Sequence, residues 1–206
     1  MLKYAICICL LVCILVPALA QKQTERADVT YKPAETTIAV LFSPNNSDDK
    51  WKEQKEKESK TARDYVYKLF ADRGFQPVAA ERVDEAVSKS AIDLTKEDQW
   101  TKANFYKVGK EVSANLVAFV LIKQTRQKVV RNLLAVQEVG EAEIEVWLVD
   151  AAQEKPLISD ESARGRANGG VRGASHRRCS AVEFAVKNGF DKFLKPYAVT
   201  AGKGKK

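Results

Sequence analysis

Seven consecutive apolar residues, LVAFVLI from Leu116 to Ile122, place the strongest constraint on how this chain can fold. Side chains of a β-strand point alternately to opposite faces of its sheet, so a strand that is apolar at every position must be covered on both faces. Such strands are typical of sheets that carry helices on each side. The run therefore predicts an α/β fold.

The remaining strand patterns fit a mixed sheet. The segment Thr36–Ser43 is β-branched and apolar, which predicts a buried first strand, and Pro77 favours an edge position for a short second one. Residues 141–151, EAEIEVWLVDA, alternate glutamate with apolar residues, which is typical of a strand with one wet face. The segment LISDESARGRA is expected to return antiparallel to it.

Helical spacing of apolar residues is clearest from Val182 to Tyr197, near the end of the chain. A helix start is predicted at Thr95, and Gly109 is expected to let its helix approach the sheet closely. The predicted order is β-α-β-α-α-β-β-β-α, a mixed β-sheet flanked by helices. A parallel start needs a long crossover, and the late strands form an antiparallel meander.

The first twenty residues have the pattern of a secretory signal peptide. Lys3 precedes an apolar run from Ala5 to Val16, and Ala18-Leu19-Ala20 supplies small residues before a cleavage point at Gln21. Cleavage and export to the periplasm or medium are expected, with an uncleaved anchor as the alternative. The resulting organisation is a signal peptide (1–20), a polar linker (21–35), a single α/β domain (36–198) and a basic, disordered tail (199–206).

Three of the four cysteines, Cys7, Cys9 and Cys13, lie in the signal segment. Bulky residues precede each of them, so no lipid-attachment signal is expected. Cleavage leaves Cys179 alone, which excludes an internal disulfide. The chain has 34 Lys+Arg against 27 Asp+Glu. For an exported protein this mild excess favours anionic envelope components over nucleic acid, and no transmembrane span is expected after cleavage.

Several local strings resemble a superfamily of bacterial envelope domains. The superfamily includes the TolB amino-terminal domain, the curli-secretion protein CsgG and the outer-membrane lipoprotein activators of penicillin-binding proteins. The strings are TIAVLFS, LFADRGFQPVAAERVDEAV, YKVGKEVSANLVAFVLI with Gly109, Lys110 and Ala114, and EIEVWLVDAAQEKPLISDESARG with Val149, Asp150 and Ala151.

The resemblance spans roughly residues 36–197 and implies a TolB N-terminal-like, anticodon-binding-domain-like fold. It also implies a non-enzymatic adaptor or assembly module with an envelope protein or wall polymer as partner. Ring-forming relatives suggest a homo-oligomer. The acylated cysteine, membrane-spanning hairpins and β-propeller of individual relatives have no counterpart in this sequence, so lipid anchoring and pore formation are not expected.

The segment Ala163–Ser180, ARGRANGGVRGASHRRCS, is rich in arginine and glycine. Its glycines fit neither the P-loop nor the dinucleotide-binding pattern, so no nucleotide cofactor is expected. Arg172, Arg177 and Arg178 have no evident partner in the sequence and are candidates for a partner or anion contact near a helix start. A polyanion-binding module built on this segment is therefore an alternative function.

His176 and Cys179 are spaced so that they can face each other on a helix, which leaves a hydrolase as a further alternative. Cys179 is nevertheless in phase with the apolar stripe that begins at Val182, which favours a buried structural thiol. One cysteine and one histidine are too few for a zinc site, so no metal or other cofactor is expected.

The last hairpin predicts cross-strand ion pairs. If it turns around residues 153–154, Glu143 lies opposite Arg164 and Glu141 lies opposite Arg166, each pair contributing about 0.2–1 kcal/mol. Trp147 shares a face with these glutamates. It is either an exposed contact residue for a partner or lies beneath the leading arm of the chain.

Overall fold

The structure, a computed structural model, describes residues 31–43, 52–131, 136–169 and 174–197. The predicted signal peptide, the basic tail and Arg172 lie outside the described residues, as does the side chain of His176.

Strands and helices follow one another in the order β-α-β-α-α-β-β-β-α. The helix Lys102–Glu111 begins later than the predicted start, because Asp93 accepts hydrogen bonds from both the backbone and the hydroxyl of Thr95 and holds that residue in a turn. The bounds are β1 Thr37–Ser43, α1 Lys52–Ala71, β2 Gln76–Pro77, α2 Ala80–Lys89, α3 Lys102–Glu111, β3 Leu116–Arg131, β4 Val136–Asp150, β5 Lys155–Gly169 and α4 Ala174–Leu194, with short 3₁₀ helices at Pro33–Glu35 and Glu97–Gln99.

The five strands form one mixed sheet in the order β2-β1-β3-β4-β5. β1 runs parallel to both β2 and β3, whereas β3, β4 and β5 form an antiparallel meander. The parallel pairs are joined through helices, and β4 is joined to β5 through a short turn at residues 151–154, as their geometry requires. The predicted α/β class, a mixed sheet flanked by helices, is confirmed.

Two apolar layers cover the two faces of the sheet. On the first face, even-numbered residues of β3 such as Leu116 and Val120 pack with α1 and α4. On the second face, Val117 and Phe119 pack with α2 and α3. The apolar run in β3 is therefore buried from both sides, which is why each of its positions had to be apolar.

Glycines bring the helices close to the sheet. A Cβ atom at Gly165 of β5 would overlap the backbone of Ala181 and Ala185 in α4, and one at Gly140 of β4 would overlap the backbone of Arg177. Gly109 of α3 lies equally close to Ala151, as predicted. Gly140 and Gly165 therefore fix how closely the last helix lies on the first face.

Tyr31 attaches the start of the described chain to one end of the sheet. Its hydroxyl donates a 2.7 Å hydrogen bond to Asp150, its backbone N–H donates to the hydroxyl of Tyr197 at 3.1 Å, and its ring lies 5.9 Å from that of Phe193. Asp150 is buried and also accepts from the backbone N–H groups of Ala152 and Gln153. One carboxylate thus shapes the β4–β5 turn and holds Tyr31.

Among the described residues, no helix combines the length and the apolar character that crossing a membrane requires.

Candidate functional site on the sheet

The second face of the sheet changes character along its length. Near Trp147 and Val149 it is apolar and covered by α2 and α3. Further along the same face of the meander most side chains are charged and partly or fully exposed, with the buried Val139 as an exception. We call this part the charged sheet face; it comprises Gln124 and Arg126 of β3, Glu141 and Glu143 of β4, and Arg164 and Arg166 of β5.

A groove of about 650 Å³ lies along the charged sheet face. Its walls also include Gly165 and Asn188. The strand register explains the arrangement: Arg126, Glu141 and Arg166 form one row across three strands, because directly opposed residues of a sheet share a face. Each column of the face therefore has a dominant sign, cationic on β3, acidic on β4 and cationic on β5.

The predicted cross-strand register is confirmed: Glu143 is opposite Arg164, and Glu141 is opposite Arg166. Arg164 lies 3.4 Å from the Glu143 carboxylate, and its side chain is 79% exposed. Exposed ion pairs contribute about 0–1 kcal/mol. This pair consequently leaves the Arg164 guanidinium accessible to a second anionic group.

Glu141 has a nearer partner than the residue opposite it. Lys128 on β3 lies 2.7 Å from its carboxylate, and this hydrogen-bonded ammonium lowers the pKa of Glu141 from its ordinary value. Arg166 and Arg126 lower it further through longer-range attraction. Within the described ranges Arg166 makes no hydrogen-bonded ion pair, so its charge faces the groove.

β5 is an edge strand, and its backbone orientation follows from the ladder. The Ala151 N–H bonds to Asn115 on the β3 side, so by alternation odd-numbered residues of β4 face β3 and even-numbered residues face β5. The N–H and C=O groups of Arg164 and Arg166 therefore point away from β4. In agreement, the Arg164 carbonyl accepts a 2.8 Å hydrogen bond from Asn188 of α4.

Trp147 is not an exposed contact residue. Its side chain is 9% exposed, and its ring lies 6.4 Å from Phe105 of α3 and 5.0 Å from Phe119 of β3. Of the two environments that the sequence left open for Trp147, the exposed one is wrong, because α3 covers this end of the face that the glutamates share. Trp147 belongs to the second apolar layer.

The arginines at the start of α4 were expected to lack partners, but Arg178 has one. Its side chain is only 19% exposed and lies 3.4 Å from Glu58 of α1, which is itself buried. Glu58 also accepts hydrogen bonds of 2.8 Å from Gln54 and from Thr125. Arg178 therefore joins α4 to α1 and β3, whereas Arg177 is half-buried beside Gly140.

The thiol of Cys179 is buried in α4 and 6% exposed, as its phase with the apolar stripe predicts. Among the residues that the structure describes, no three metal-ligating side chains lie close enough to share an ion. The part of the candidate site that sequence reasoning missed is its β3 column, because β3 continues to Arg131 beyond the predicted apolar strand. The alternation of Thr125 and Gln127 with exposed cations is the signal for this extension.

No family model matches the chain, and no curated protein matches it. Among solved structures, it is similar to lipoprotein GNA1162 from Neisseria meningitidis, with 16% identity, 71% of this chain and 94% of that one covered, and a TM-score of 0.46. It is similar to the LpoB C-terminal domain from Salmonella enterica with 12% identity, 68% of this chain and 87% of that one covered, and a TM-score of 0.40. It is also similar to the hypothetical protein CT253 from Chlamydia trachomatis, with 13% identity, 78% of this chain and 94% of that one covered, and a TM-score of 0.41. The resemblance to CsgG and to the TolB amino-terminal domain in particular stays a prediction.

Proposed function

We propose that this chain is an exported, non-enzymatic adaptor or assembly module of the bacterial cell envelope that docks another protein along the edge of β5. The observation that carries the proposal is this edge. Along residues 162–168 the outer side carries backbone donors and acceptors directly beside the groove of the charged sheet face, with the Arg164 carbonyl already accepting from Asn188. Unpaired strand edges are a recurring way for one protein to bind another.

Export is proposed from the signal-like first twenty residues, and an envelope partner follows from that location. The buried Cys179 gives the hydrolase alternative no accessible nucleophile. The polyanion alternative loses one of its three cations, because Arg178 is held by Glu58. Protein docking through β5 therefore explains more of the described surface than either alternative does.

In-cell photo-crosslinking tests this function. In the native host, a photoreactive residue replaces Asn168, which is exposed on β5. A matched strain carries the photoreactive residue in place of Lys102, which is exposed on α3. We expect an envelope protein captured reproducibly at position 168 and not at 102. Capture at both positions alike, or of nothing at 168, would refute docking along β5. Capture of this chain itself at 168 would replace an adaptor with a homo-oligomer.

A further inference from the structure

We propose that the segment docked by β5 is an extended acidic stretch of the partner polypeptide, added as a sixth strand along Ser162–Asn168 with its carboxylates over Arg164 and Arg166. This inference rests on the proposed docking function and specifies the chemistry of the partner. It follows from three features of the edge: where its backbone groups point, where its side chains point and how charge alternates across the sheet.

The backbone defines which stretch is open. Because Arg164 points its N–H and C=O outward, the alternate residues Ser162, Arg166 and Asn168 do so as well. The stretch is limited on one side, where the register shifts near Asp160 and that residue adopts a φ of 43°. A strand added here pairs with these four residues, and at Arg164 it either shares the carbonyl with the Asn188 amide or displaces that amide.

The side chains of the same residues lie on the charged sheet face. Residues that pair directly share a face, so every partner residue opposite Arg164 or Arg166 also places its side chain over the groove. Adjacent strands lie about 4.8 Å apart, within reach of a carboxylate–guanidinium contact. Carboxylates spaced two residues apart on the partner therefore meet both arginines at once.

The charges of the sheet face indicate which kind of chain binds beside β5. The columns run cationic on β3, acidic on β4 and cationic on β5, so an acidic sixth strand continues the alternation. A second copy of this chain fits poorly, because antiparallel pairing centred on Gly165 sets Arg164 opposite Arg166, and like charges directly opposed are destabilising. An acidic glycan satisfies the arginines but does not offer a matching ladder of backbone groups.

Peptide binding to the purified protein tests the inference. The probe is a fluorescent, acetylated octapeptide alternating Glu and Thr, followed by anisotropy at low salt. One control peptide has Gln in place of Glu, and another has the same composition in the order EETTEETT, in which no two glutamates are spaced two residues apart. We expect both controls to bind at least about tenfold more weakly, since a tenfold change corresponds to losing about 1.4 kcal/mol of charge-assisted contact.

Paired variants separate the site from general electrostatics. R164E/R166E is expected to lose binding, whereas K68E/K102E, which makes the same change in net charge at exposed helical positions, is expected to keep it. Ser162→Pro removes one outward N–H and is expected to weaken binding, while Ser162→Ala is not. If Ser162→Pro does not fold, Asn168→Pro makes the same test.

Equal binding by the two charge variants, or equal binding of the alternating and the EETTEETT peptides, would overturn the acidic-strand inference. So would stronger binding of an acidic glycan that competes with the peptide. If crosslinking at position 168 captures an envelope protein but the peptide fails, docking stands and its acidic chemistry is refuted. If crosslinking fails as well, the docking function fails with it.

Discussion

Replacing Gly165 by alanine should weaken the attachment of α4 to the sheet. The new Cβ would overlap the Ala181 carbonyl and the Ala185 N–H, which are both backbone atoms and cannot rotate away. The helix must therefore shift outward. Because α4 packs Val182 and Phe190, among other buried residues, against the first face, a shift loosens contacts along its length.

Overpacking of this kind costs about 1–3 kcal/mol, and the rigid backbone at this position places the loss near the upper end. At about 2–4 °C per kcal/mol for a chain of this size, the melting temperature should fall by about 6–12 °C. Urea denaturation followed by circular dichroism measures the free energy of unfolding directly.

Gly189→Ala is the matched control within α4. Its added Cβ would lie 3.0 Å from the Val146 methyl groups and 3.3 Å from the Ala163 Cβ, which are side-chain atoms rather than backbone. Alanine also gains about 1 kcal/mol of helix propensity over glycine, so the net change should stay within about 1 kcal/mol of zero. If Gly165→Ala destabilises no more than Gly189→Ala does, the reasoning from backbone overlap is refuted.

Three further predictions concern single side chains. Cys179 should react with a maleimide only after unfolding, and rapid labelling of the folded protein would contradict its burial. Hydrogen bonding to Lys128 lowers the pKa of Glu141, so that ion pair stabilises the folded state above the ordinary carboxylate pKa, and its contribution is lost as pH falls through the lowered pKa. Lys128→Met should therefore raise the pKa of Glu141 in a carbon-13 NMR titration, and an unchanged pKa would contradict the pairing. Tyr31→Phe should lower the free energy of unfolding by about 1–3 kcal/mol in urea, because the buried Asp150 loses a donor, whereas an unchanged midpoint would show that the contact contributes nothing.

The sequence was most informative where burial is complete. A strand that is apolar at every position, Leu116–Ile122, has only one structural explanation, and helices do cover both of its faces. The predicted pairing of Glu143 with Arg164 is also found, but not for the reason that the sequence offered. Asp150 pairs with Lys155 at the turn, and two register shifts between Val146 and Val149 then bring Arg164 opposite Glu143. The first inference depends on a local pattern whose period the backbone dictates, whereas the second depends also on irregularities that the pattern does not indicate.

The candidate site was less predictable because its limits are set by contacts distant in sequence. The polar end of β3, from Lys123 to Arg131, reads like a loop and becomes a strand because β4 pairs with it. Exposure and burial stayed open for Trp147 for the same reason. Its face is wet at Glu143 and dry at Val149, and only the position of α3 decides where the change occurs.

The hydrogen bond between Tyr31 and Asp150 marks one end of the sheet. Asp150 ends β4, and the row that contains Glu141 lies further back along the same strand, about 30 Å away at about 3.3 Å per residue. Tyr31, the first described residue, is held at the Asp150 end. A partner that fills the groove beside Glu141 therefore leaves the Tyr31 contact intact, and each end of the sheet can be altered by mutation without disturbing the other.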